Sequence, residues 1–369
     1  MTGVGLEIGR VVGSPDTPAV VDPRRFNRHT FWCGQSGSGK TYALGVVLEQ
    51  LLLGTELPIV LLDPNADFVR LRQARGDAPP DASARLAELD IRTFRSGSGP
   101  GEPLRARFVD LSLESKAAVL QLDPIADAEE YNVLLKAELR AGSVDPVEII
   151  PRLRASDDPG EVALSYRMEN LRVLDWDLWS RGAPSVVDVI DARPRASILD
   201  LGGFGHPSES RVAALAVLEH LWARREERRP VLIVIDEAHN ICPPDPRTDV
   251  ERALTSRLVQ IAAEGRKFGL WLFLSTQRPG KIHPNVLSQC DNLGLMRVNS
   301  PRDLAELADV FGFAGEEEIR RSMEFRQGQA LFAGAFVNKP TFVQMGSRIT
   351  EEAGGDVDVP LRHDQPGRA

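Results

Sequence analysis

Short apolar runs and longer stretches of helical periodicity alternate along the chain, with turn residues between them. The runs at 30–33, 58–63, 197–201, 231–236, 270–276 and 293–298 predict strands. Val231-Leu232-Ile233-Val234-Ile235 carries no polar position, as a strand covered on both faces requires. Residues 42–53 read as a helix, and strands alternating with helices predict an α/β fold on a mainly parallel sheet. Near the end, 330–333 and 341–344 flank Asn338-Lys339-Pro340 and predict an antiparallel pair.

One segment breaks this rhythm. From about Leu104 to Ala192 the pattern turns helical and charged, at 114–120, 126–140 and 162–178, punctuated by Pro124, Pro146, Pro151 and Pro159. The chain therefore divides into an α/β core at 1–104 and 193–350, a helical insertion at 105–192, and a polar tail at 351–369. Residues 75–103, rich in Pro, Gly, Asp and Ser, read as a surface connection. The tail is expected to be disordered or to lie on a neighbouring molecule.

Composition narrows the class. With 42% hydrophobic residues the chain can bury a soluble core, and no run approaches the roughly 18 residues of a membrane span. Cys33, Cys242 and Cys290 are isolated, without metal-ligand or disulfide spacing, so a reducing cytoplasm is the expected location. A net charge of −9 argues against a protein that coats DNA, though not against a ring whose pore alone is basic.

The first predicted strand runs into Gly34-Gln35-Ser36-Gly37-Ser38-Gly39-Lys40-Thr41, and a helix opening at Tyr42 follows. In that context glycines let backbone N–H groups turn inward around phosphates, and the helix N-terminus adds its positive dipole end. Lys40 is placed to reach the β- and γ-phosphates of ATP, and the Thr41 hydroxyl to ligate Mg²⁺. Asp236-Glu237 follows the fully apolar strand. There an aspartate helps to hold Mg²⁺, and the next glutamate can activate the attacking water. An acidic helix start would look similar in isolation. Gln277, after the strand at 270–276, is the expected γ-phosphate sensor. Arg266, in Glu264-Gly265-Arg266-Lys267-Phe268-Gly269, fits a cation donated in trans by a neighbouring subunit, with Lys267 beside it and Arg257 a weaker alternative. The bland reading of these cations is a solvated helix end.

Taken together, GQSGSGKT, VLIVIDEAHN and EGRKFGLWLFLSTQRP resemble the HerA–FtsK superfamily, its HerA branch in particular. Leu287-Ser288-Gln289-Cys290, Asn299-Ser300-Pro301-Arg302-Asp303, Gly328-Gln329-Ala330 and Arg348-Ile349-Thr350-Glu351-Glu352 before Gly354-Gly355-Asp356-Val357 continue the likeness across most of 27–358. The resemblance implies a RecA-like core with an inserted helical bundle. It also implies a hexameric ring that moves duplex DNA, working with a partner nuclease or other effector in DNA-end processing or anti-phage defence. Two departures stand out. Only 33 residues precede Gly34, which reads as a short form without the N-terminal β-barrel. Asp63-Pro64-Asn65-Ala66-Asp67-Phe68 replaces the usual histidine-glycine version, so Asn65 is given no catalytic task.

The leading expectation is an ATP-driven DNA translocase or helicase, with Arg247, Arg252 and Arg257 as pore contacts. The alternative is an ATP-gated ring scaffold that activates an effector without processive translocation. A coupling or secretion ATPase at a membrane is disfavoured, since no transmembrane span or basic membrane-facing segment supports it. A superfamily 2 helicase, which also uses Asp-Glu-Ala-His, would need two tandem cores in 369 residues.

Overall fold

The computed structural model describes residues 5–97, 99–139 and 146–354. Among them, twelve strands form one sheet in the order β2-β1-β12-β11-β10-β3-β9-β8-β4-β7-β5-β6. In chain order these are β1 Leu6–Val11, β2 Ser14–Val21, β3 His29–Cys33, β4 Ile59–Asp63, β5 Ile91–Arg95, β6 Glu102–Pro103, β7 Ala196–Asp200, β8 Val231–Ile235, β9 Leu270–Thr276, β10 Cys290–Leu295, β11 Gln329–Gly334 and β12 Thr341–Met345. From β10 to β6 every pairing is parallel, whereas β11, β12, β1 and β2 form an antiparallel flank.

The helices that matter here are α1 Lys40–Gly54, α2 Pro80–Ala87, α3 Leu113–Leu120, α4 Ala128–Leu139, α5 Pro146–Arg154, α6 Pro159–Asn170, α7 Val186–Asp191, α8 Pro207–Ala223 and α9 Asp249–Glu264. Alternate side chains of the central strands enter opposite layers. Leu61, Leu232 and Val234 pack with Leu44, Val47 and Leu48 of α1. Leu62, Ile233 and Ile235 pack on the other face with Val212, Leu215 and Leu258 of α8 and α9. This two-sided burial explains why the strands carry no polar alternation. Val119, Leu164, Met168 and Trp176 of the helical segment join the second layer.

Two expectations need correction. Residues 75–103 are not merely a surface connection, since they contain α2 and β5, and β5 buries Ile91 and Phe94 against β7. The helix expected over 162–178 spans Pro159–Asn170 instead. Asp158 caps its start by accepting from Gly160 N at 2.8 Å, and beyond its end Arg172 takes the left-handed conformation (φ 53°), turning Trp176 and Leu178 into the core. The hairpin of β1 and β2 was not anticipated. Pro15 and Pro18 mask β2, which tolerates them because it is the edge strand. The late antiparallel pair is present as β11 and β12. Of the tail, Glu351 N donates to Gln73 O at 2.8 Å, while 355–369, with Gly355, Asp356 and Val357, lie outside the described residues. Among the described residues no helix is long and apolar enough to cross a membrane.

His29, fully buried, joins β3 to the α9–β9 corner. Its Nε2 donates to Ala262 O at 3.0 Å and its Nδ1 accepts from Leu272 N at 2.9 Å. Burial, with the charge of Arg266 adding, pushes its pKa down from 6.5 to about 4. Between those values an unfolded chain binds a proton that the fold refuses, so stability is full above pH 6.5 and falls as the pH drops toward 4. The whole shift corresponds to roughly 3 kcal/mol. Urea unfolding at stepped pH should show this slope flattened in His29→Gln, and an identical slope in the variant would contradict it.

Candidate nucleotide site

All elements of the site converge where the parallel strands end. β3, β9 and β8 are neighbours, with Cys33 opposite Thr276 and Ile235 opposite Leu274. The loops that leave them therefore meet. Gly34 N donates to Thr276 O at 3.3 Å and Gln35 N to Arg297 O at 2.9 Å, fixing both sides of the phosphate loop. A Cβ on Gly34 would come within 2.8 Å of both Met296 Cβ and Ser38 Oγ. Gly37 (φ 74°) and Gly39 (φ 86°) take left-handed backbone, which other residues adopt only with strain. The Gln35 side chain braces the loop by accepting from Asn299 N at 3.0 Å, and Ser36 stays exposed. Gly39 then begins α1, placing Lys40 and Thr41 in its first turn.

Lys40, Asp236, Glu237 and Gln277 come together as expected. Lys40 Nζ lies 2.8 Å from Asp236 Oδ1 and 3.2 Å from Glu237 Oε1, and all three side chains are almost wholly buried. Gln277 Nε2 donates to Glu237 Oε1 at 2.7 Å. His239 Nδ1 lies 3.2 Å from Glu237 Oε2 and 3.1 Å from Thr276 Oγ1. Burial acts to raise the Glu237 pKa, but the bond from His239, the Lys40 charge and the bond from Gln277 outweigh it and hold the carboxyl at about 2. Glu237 also has left-handed backbone (φ 43°), a strain of roughly 1–3 kcal/mol for a side chain of this kind. These contacts hold it there.

Two buried oxygens in the site, Asp236 Oδ2 and Ser38 Oγ, have no hydrogen-bond partner among the described residues. An unpaired buried oxygen is costly. A hard carboxylate oxygen suits Mg²⁺, and a hydroxyl beside inward-turned N–H groups suits a phosphate. The residues present thus fit both groups, with Thr41 adjoining.

Several residues here were not singled out from the sequence. Ser275 Oγ donates to Asp236 Oδ1 at 2.6 Å and accepts from Lys40 Nζ at 3.0 Å; the signal was a polar residue near the end of an apolar strand. Arg297 Nη2 reaches Gly37 O at 3.4 Å. Asp63 and Asp67 stand beside Asp236. Burial raises both carboxyls, Asp63 to about 7 and Asp67 to about 6, with the Asp236 charge adding. The Tyr42 hydroxyl turns away from the loop and accepts from Arg348 N at 2.7 Å.

Arg266 and Lys267 are not brought to this chain's own site. They precede β9, at the opposite rim of the sheet, a strand length of roughly 20 Å from the phosphate loop. Arg266 pairs with Asp291 and lines a cleft of about 550 Å³ with Arg25, Arg28 and Lys339. Lys267 Nζ lies 3.4 Å from Glu264 Oε2. Arg257 is corrected as both finger and pore contact, because it points into its own fold, 3.4 Å from Glu219 Oε1 and over the Trp222 ring. Arg247 remains exposed, and Arg252 pairs with Asp249.

Residues 6–170 match the family described as "Helicase HerA, central domain". The DNA double-strand break repair helicase HerA of Pyrococcus furiosus is 23% identical over 92% of this chain and 69% of its own length. That of Sulfurisphaera tokodaii is 28% identical over 96% of this chain and 72% of its own. These longer matches extend past β8, beyond the family match. Among solved structures, VirB4 of Thermoanaerobacter pseudethanolicus has a TM-score of 0.63 at 14% identity, covering 94% of this chain and 97% of that one. At that identity the likeness is one of fold.

Proposed function

The chain belongs to the HerA branch of the HerA–FtsK superfamily of P-loop ATPases, and on that footing we propose that it is an ATP-hydrolysing DNA motor. It works as a hexameric ring with duplex DNA in the channel, beside a partner nuclease or other effector, in DNA-end processing or anti-phage defence in the cytoplasm. One observation carries most weight. The Lys40–Asp236–Glu237–Gln277 constellation closes at one rim of the sheet, while Arg266 stands at the other, so a neighbouring copy can supply what this chain's own site lacks.

In this reading the ATP phosphates lie in the loop from Gly34 to Thr41, and Lys40 exchanges its carboxylate contacts for phosphate oxygens. Thr41 and Asp236 would hold Mg²⁺, which neutralises phosphate charge when bound. Glu237, relieved of the ammonium, becomes more basic and accepts a proton from the water that attacks the γ-phosphorus, as ADP leaves. Gln277 orients that water. Arg247 and Arg252 are the pore contacts, whose charge repeated around a ring offsets the net −9 for a threaded duplex.

Glu237→Gln keeps the shape of the side chain and removes the base. ATP should still bind, and turnover should fall by roughly 10²–10⁴-fold. Bound ATP recovered intact from the variant checks this, and normal turnover would remove Glu237 from the role. ATPase assays with and without duplex DNA, joined to native mass measurement, test the whole reading. DNA-stimulated turnover in a hexamer is the expected result. Turnover raised by a partner protein yet indifferent to DNA would favour the ring scaffold instead.

A further inference from the structure

β4 lies beside β8, so Asp63 at its tip stands next to Asp236. Asp63 is fully buried, and its carboxylate accepts from Asn65 N at 3.3 Å and Phe68 N at 2.8 Å. Those bonds curl 64–68 into a tight turn, with Ala66 left-handed (φ 61°), that carries Asp67 back over the strand end. The C-terminal segment holds the turn from outside, since Ala353 N donates to Asp67 O at 3.5 Å and Thr350 bridges Ala74. One carboxylate oxygen from each of Asp63, Asp67 and Asp236 then lies within 4.8 Å of the others.

Packing like charges together in a buried place is unfavourable unless something offsets them. Asp63, Asp67, Asp236 and Glu237 bring four carboxylates, and among the described residues Lys40 is the only lysine or arginine within ion-pair distance of them. Lys40 is engaged on Asp236 Oδ1 and Glu237 Oε1, while Asp236 Oδ2 is buried without a partner. A donor set made only of carboxylate oxygens matches a hard divalent cation.

We propose that Asp63, Asp67 and Asp236 form a divalent-cation site that fills without nucleotide, with Asp67 as the ligand the sequence motifs leave unassigned. The inference rests on the ATPase reading for its use, because a cation there stands beside the phosphate loop before ATP arrives. It also gives the C-terminal segment a task, that of holding Asp67 in place.

Calorimetric titration of Mn²⁺ into the full chain without nucleotide tests this. The wild type should take up one Mn²⁺ per chain. Asp67→Asn should bind about tenfold more weakly or worse, with fewer ligand charges. A wild-type chain that takes up no Mn²⁺, as it would if shared protons neutralised the carboxylates, overturns the site whatever the variant does. So does an Asp67→Asn protein that binds like the wild type. Mg²⁺-dependent ATP turnover measured in parallel separates the two claims: turnover without Mn²⁺ uptake overturns this site and leaves the ATPase standing.

Discussion

Replacing Lys40 with alanine is expected to abolish ATP binding and, separately, to destabilise the fold by about 3–5 kcal/mol. The second effect follows from its position. Its ammonium lies between the carboxylates of Asp236 and Glu237, with side chains 4%, 0% and 5% exposed. Removing it leaves two charges facing each other in a buried site. Those two charges raise its pKa against the opposing effect of burial. Lys40→Arg retains the charge and should recover part of the lost stability without recovering turnover, because a planar guanidinium does not reproduce a compact ammonium among phosphates. Nucleotide titration and urea unfolding on the same preparations separate the two. Undiminished hydrolysis in Lys40→Ala would remove the assignment of the site.

Arg266→Ala should lower turnover by roughly 10³–10⁵-fold while leaving ATP binding largely intact. The guanidinium is about one-third exposed and held by Asp291, so its loss costs the fold little. Its effect should appear in assembled protein only. Mixed with Glu237→Gln in one ring, Arg266→Ala protein should regain part of the activity, since a sound phosphate loop then meets a sound arginine at some contacts. Mixed rings that recover nothing would count against a role in trans. An Arg266→Ala protein as active as the wild type would dismiss the residue altogether.

The central strands and the phosphate loop were legible because their signals are local: unbroken apolar runs, closely spaced glycines, and an acidic pair at a strand tip. Legibility failed where local chemistry and tertiary position disagree. The prolines of β2 read as loop, yet its outer side asks for no ladder bonds. β5 is five residues with two arginines, and only its pairing with β7 makes it a strand. Ser275, Arg297 and Asp67 leave other strand ends, and only the order of strands in the sheet brings them to Lys40 and its neighbours. Arg257 erred the other way. Its helical spacing suggests a solvated cation, and only the fold shows it turned onto Glu219 and Trp222.

The two rims of the sheet also limit how copies can associate. A two-fold pair that set each copy's Arg266 on the other's phosphate loop would complete two sites and leave no rim free for a third copy. A head-to-tail contact instead leaves one rim open at each end. Such a contact closes into a ring if its rotation divides a full turn evenly, and otherwise winds into an open filament. A surface change far from the nucleotide that alters that rotation by a few degrees would thus trade rings for filaments while leaving every pairwise site intact.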